Sequence, residues 1–247
     1  MKKKRLLIIF MLLFVLFIAS FTWLLLQEER YQYGYTRNYQ FDPLKLNNED
    51  LEFVLINEND VESNKNLKDD YFFGKEEDFY LLVNKFYELV LLENASFSKL
   101  DSIEFSTLCD NVNSGFYSSY FTYSKIENVD GKKVRVHRYV FIDLQSKTLR
   151  IIEEYIEPVI LIWNKINLSK IKYSASDVLE LTDRNGGSDQ RQTVNNNCYV
   201  RVGMFPDSAE FRGWSVSYIE TYSEKNEQIV INEYDPFTGE LLPSEKK

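Results

Sequence analysis

Apolar residues fall along this chain in distinct patterns, and each pattern predicts an element. Leu6 to Leu26, LLIIFMLLFVLFIASFTWLLL, is an unbroken run of 21 residues without a charge. At about 1.5 Å per residue a helix of that length reaches about 31 Å, the thickness of a bilayer's hydrocarbon core. Residues 27–50 are polar and Tyr-rich with no sustained period, which predicts a stalk or an entry segment. Leu51–Ile56 reads as a short strand and Asn57–Asp70 as an exposed loop. Within 75–94, Phe79, Leu82, Val83, Phe86, Leu89 and Val90 recur at three- and four-residue steps behind an acidic first turn. That spacing predicts an amphipathic helix. Strands are then predicted at Ser102–Leu108, Gly115–Ile126, Lys133–Asp143 and Thr148–Tyr155, with Asp130-Gly131 as a hairpin turn.

A second half repeats this order. Ser174-Ala175-Ser176-Asp177 has capping-box spacing, and the helix it opens is expected to stop at Gly186-Gly187. Strands follow at Thr193–Met204, Gly213–Tyr222 and Gln228–Tyr234, with a short one at Glu240–Leu242. Setting Asp143 on Asp235 aligns the two endings, with Lys147 falling on Gly239. An aspartate there can bond backbone amides two residues on and tighten the turn. The expected fold class is α+β: an N-terminal transmembrane helix, then two halves, each a helix on an antiparallel sheet. The expected divisions are a cytoplasmic tip (1–5), the transmembrane helix (6–26), a stalk and exposed loop (27–70), a first half (71–157) and a second (158–247).

The second half resembles the PepSY-like domains of bacterial envelope proteins. The residues that carry the resemblance are Ser174-Ala175-Ser176-Asp177-Val178-Leu179-Glu180-Leu181, Gly213-Trp214-Ser215-Val216, and Ile229 through Leu241 with Asp235-Pro236-Phe237-Thr238-Gly239-Glu240. Residues 75–151 read as a degenerate copy. The resemblance implies an extracytoplasmic or membrane-attached domain without a recognised catalytic centre, proposed in some contexts to bind or inhibit peptidases. It brings no functional residues to particular positions.

Charge orients the picture. The net charge is −9, but Lys2, Lys3, Lys4 and Arg5 precede the apolar run and leave 25 basic against 38 acidic side chains after it. The positive-inside rule places the N-terminus in the cytoplasm, so the chain is expected to be single-pass with its C-terminal domain extracytoplasmic. The bilayer is then a partner through residues 6–26. A cleaved signal peptide is the rival reading, but its apolar region should be shorter and end at small residues. The acidic balance argues against nucleic acid, which calls for many Lys and Arg contacts to phosphate.

Little chemistry is legible. His137 is the one histidine and sits in an alternating run with no nucleophile motif to serve, so it reads as sheet-packed or exposed. Cys109 and Cys198 are poor zinc material. They can pair as a disulfide joining the halves, or remain two buried thiols. The carboxylates, among them Glu76, Glu77, Asp78, Glu153, Glu154 and Asp183, read as solvated faces. No catalytic residue, metal ligand or cofactor is assigned. Phe116, Tyr117, Tyr120, Phe121 and Tyr123 crowd one predicted strand without clean alternation, so some must face away from the core and can form a binding patch. The expected function is non-enzymatic recognition of an envelope protein or peptide, or modulation of an envelope enzyme. The alternatives are a cell-wall-acting enzyme and a structural subunit of an envelope assembly.

Overall fold

The computed structural model describes residue 14 and residues 30–57, 72–95, 100–129, 131–157, 166–205, 213–220 and 228–243. Its strands are β1 (Arg30–Gln40), β2 (Val54–Ile56), β3 (Leu100–Leu108), β4 (Ser118–Val129), β5 (Lys132–Asp143), β6 (Thr148–Glu157), β7 (Cys198–Met204), β8 (Trp214–Glu220) and β9 (Gln228–Tyr234). The helices are α1 (Glu76–Leu89), α2 (Ala175–Thr182) and α3 (Ser188–Thr193). All nine strands form one antiparallel sheet in the order β2-β1-β6-β5-β4-β3-β7-β8-β9.

This corrects the expected fold class. The two halves are not separate helix-on-sheet layers, because the first strand after each helix pairs with the other. β3 and β7 run antiparallel from Ile103↔Met204 to Leu108↔Tyr199. Joining two sheets edge to edge satisfies both rows of backbone groups that would otherwise lie open. The transmembrane, single-pass expectation is corrected as well: among the described residues, no helix is long and apolar enough to cross a membrane. The Leu6–Leu26 run lies outside the described residues except for Phe14, which is helical and exposed.

The polar 27–50 region, expected as a stalk or an entry segment, enters the sheet. It holds β1, which pairs with β6 from Arg30↔Glu157 to Gln40↔Thr148 and with β2 at its C-terminal end. β4 and β5 pair antiparallel up to Val129↔Lys132, and Gly131 takes φ +80°; Asp130 of the expected turn lies outside the described residues. After α2 the chain makes a wide turn over Asp183–Gly187 and resumes as α3, where Arg191 is buried and ion-paired with Asp183.

The helices lie on one face of the sheet and make the core there. Alternation along each strand sends one set of side chains to them. On α1, Phe79 meets Phe105 with ring centroids 5.8 Å apart, and Phe86 meets Tyr39 at 5.0 Å. Val178 and Leu179 of α2 are buried in the same cluster as Val200, Val202, Val216 and Tyr218. Each such side chain contributes roughly 1.5–3 kcal/mol by leaving water.

Three features tie the halves together or mark their likeness. Cys109 and Cys198 are disulfide-bonded with Cα atoms 5.3 Å apart, at the next position of the β3/β7 register. Glu76, at the start of α1, accepts from the Tyr80 hydroxyl at 2.8 Å and from Ala175 N–H, at the start of α2, at 2.8 Å. Burial pushes its carboxyl up, and those two hydrogen bonds oppose the shift. The aligned turns also match in geometry. Asp143 Oδ1 accepts from Gln145 N–H at 2.8 Å and Ser146 N–H at 3.2 Å; Asp235 Oδ1 accepts from Phe237 N–H at 2.8 Å and Thr238 N–H at 2.9 Å. Lys147 and Gly239 both take positive φ, +54° and +72°. Lysine there bears the steric cost that glycine avoids.

Candidate functional site: the helix-free face of the sheet

The side chains that point away from the helices are of a different kind. Strand register lines them up in rows across the sheet. One row runs Asn38↔Arg150↔Phe141↔Tyr120↔Glu104↔Gly203↔Ser215. The next runs Thr148↔Asp143↔Ser118↔Ser106↔Arg201↔Ser217. The first row is bulky at its centre and the second is mostly small hydroxyl side chains. A tall row beside a low one makes a groove.

The groove is seen as two adjoining concavities of about 690 Å³ and about 420 Å³, and Glu104, Tyr199 and Arg201 line both. From β1 to β8 it crosses seven strands, or roughly 29 Å at a strand spacing of about 4.8 Å. Its aromatic wall is ordered: Tyr120 and Phe141 lie 4.5 Å apart by ring centroid, and Tyr139 stacks parallel to Tyr120 at 6.1 Å. At the seam, the Arg201 guanidinium sits 5.3 Å over the Tyr199 ring and 3.5 Å from Glu104 Oε1. Arg150 Nε donates to Asn38 Oδ1 at 2.9 Å. Burial pushes the Glu104 carboxyl up despite the Arg201 charge beside it, and burial likewise raises the Tyr117 and Tyr120 hydroxyls.

The five rings singled out in the sequence divide between the two faces. Phe116, Phe121 and Tyr123 are core residues, at most 5% exposed. Tyr117 and Tyr120 line the groove. What the sequence reading missed is the company they keep: Phe141 and Tyr139 from β5, Tyr199 and Arg201 from β7, and the low row of serines. Those lie far apart in sequence and meet only through register. His137 is also on this face, buried beside Ser124; its Nε2 has no hydrogen-bond partner among the described residues. Burial and the Arg135 charge push its pKa down to about 4, so the ring is neutral near pH 7.

A second polar cluster lies on the helix side and has a structural role. Arg138 donates from Nε to Glu153 Oε1 and from its terminal nitrogens to Glu93 at 2.6 and 3.1 Å. The Tyr35 hydroxyl donates to Glu153 Oε2, and Lys125 reaches Glu93 at 3.2 Å. The Glu93 carboxyl is held below its usual range by the Arg138 hydrogen bonds. This network clamps the segment after α1 onto β4, β5 and β6.

Among the described residues no group of three or more His, Cys, Asp or Glu is placed to hold a metal ion. Comparison with family models, with curated proteins and with solved structures gives no match to this chain.

Proposed function

We propose that this chain is a non-catalytic binding domain of an extracytoplasmic, oxidising compartment, whose ligand is an extended chain laid across the helix-free face of the sheet. The observation that carries the reading is the groove itself, seven strands long, with a wall that is aromatic at β4 and β5 beside a polar floor made mostly of hydroxyls. Rings held rigid by their neighbours give contact area at low entropic cost, and serine, asparagine and arginine give directed hydrogen bonds. The Cys109–Cys198 bond supports the compartment, since disulfides persist where glutathione and thioredoxin do not keep thiols reduced. The matched turns at Asp143 and Asp235 support a PepSY-like reading of both halves and, with it, a place in a bacterial envelope.

A second reading, a cell-wall-acting enzyme, is favoured by the position of Glu104 inside the groove, where burial pushes its carboxyl up toward the range useful to a general acid. Retention of the whole chain on envelope material separates the two. Tyr120→Ala with Arg201→Ala is expected to weaken retention by about tenfold or more, while Glu104→Gln retains it and releases no less soluble product than the parent. Loss of product release in Glu104→Gln, with retention intact, supports the enzyme instead.

A further inference from the structure

The geometry points to a β-1,4-linked hexopyranose strand as the ligand of the groove, lying across the strands with its sugar rings against Tyr120 and Phe141 and its hydroxyls over the serine floor. The inference rests on the binding reading above and adds the ligand's class. Three observations carry it.

The first is what the face cannot offer. Every strand from β1 to β8 along the groove is paired on both sides, so its backbone N–H and C=O groups are used within the sheet. A peptide that recognises a sheet through its main chain does so at an edge. A ligand on this face meets side chains only.

The second is spacing. The floor positions Ser118, Ser106 and Ser217, with Thr148 beyond them, lie in one cross-strand row. Neighbouring positions in such a row recur at about 4.8 Å, close to the length of one pyranose unit in an extended β-linked strand, whereas a peptide advances about 3.4 Å per residue. Asp143 stands between Thr148 and Ser118, and Arg201 between Ser106 and Ser217, so every position of the row is polar; donors and acceptors at that repeat match a ligand that presents hydroxyls at the same repeat.

The third is charge. The groove is lined by Arg150 and Arg201 against Glu104 and Asp143, so it is balanced within a chain of net charge −9. Asp143 also spends Oδ1 on its own turn. A balanced lining suits an uncharged ligand and gives no cluster for a polyanion or a cation. The rings of Tyr120 and Phe141, with Phe141 39% exposed, supply the apolar half of the contact.

The test is calorimetric titration of the whole chain with chitohexaose, cellohexaose and an uncharged Ser/Gly/Tyr dodecapeptide. At least one hexasaccharide is expected to bind, at least about tenfold tighter than its trimer, because the trimer spans only part of the groove. Tyr120→Ala is expected to weaken the hexamer by about tenfold or more. Ser106→Ala with Ser118→Ala, which removes the floor hydroxyls without adding bulk, does the same while leaving the melting temperature near the parent's. Binding of the peptide and of neither hexasaccharide overturns the glycan assignment but leaves the groove as the binding site. No binding of any of the three, while envelope material is still retained through Tyr120 and Arg201, also overturns it. Loss of that retention too removes the binding reading itself.

Discussion

Arg138→Met is expected to lower the stability of the fold by about 3–5 kcal/mol in urea denaturation at pH 7. The size follows from what the substitution leaves behind. The Glu153 side chain is 2% exposed and that of Arg138 10% exposed, so the carboxylate left without the guanidinium has no access to water. Tyr35 and Tyr155 still offer hydroxyls, but neither carries a compensating charge. Pairing the change with Glu153→Leu removes the stranded charge. The double variant is therefore expected to be no less stable than Arg138→Met alone, and additive losses contradict the assignment. The network also has a pH signature. Arg138 holds the Glu93 carboxyl below its unfolded value, so this contribution is complete above about pH 4.3 and is lost as the pH falls through the lower folded value. In Arg138→Met that part of the acid-side decline is absent.

Opening the Cys109–Cys198 bond has an effect of similar size. The bond spans 89 residues, and in the chain-entropy model a loop of that length contributes about 4–5 kcal/mol through the unfolded state. Cys109→Ser with Cys198→Ser is thus expected to lower the melting temperature by about 10 °C or more in scanning calorimetry. Both residues are 2% exposed, so a reductant should act on the native protein only through opening of the seam. If the double variant melts within about 2 °C of the parent, the seam is held by strand pairing and Glu76, and the bond adds little. The direction of the loss also matters for function. The groove crosses the β3/β7 seam at Glu104 and Arg201, so loosening the seam should weaken ligand binding before it unfolds the sheet.

How much of this was legible in the sequence depends on whether the signal is local. The α1 helix is local: Phe79, Leu82, Val83 and Phe86 mark its buried stripe, and the described helix begins within a residue of the predicted start. The β4–β5 hairpin is local too, written in Asp130-Gly131 and the alternation around it. β1 carries a weaker local signal. Tyr31, Tyr33, Tyr35 and Tyr39 fall at odd positions among polar neighbours, but without aliphatic residues the run does not read as a strand. Whether two similar halves stack or fuse is a different kind of question. The pairing of β3 with β7 is a choice between partners almost 100 residues apart, and no local period encodes it. The groove was hidden for the same reason. Ser106, Ser118 and Ser217 are unremarkable one at a time and become a floor only when register sets them in a row. The ring cluster from Phe116 to Tyr123 was visible, but its division between core and groove follows from strand phase, and the start of β4 at Ser118 fixes that phase.

Hydroxyl-radical footprinting of the whole chain, with and without bound envelope material, tests the central claim most directly. The account predicts reduced oxidation of Tyr120, Phe141 and Tyr199 in the bound state, with Leu89, Leu92 and Phe237, all exposed and away from the groove, unchanged. Protection of Leu89, Leu92 or Phe237 with the groove rings still oxidised at the free rate would place the ligand elsewhere and contradict it.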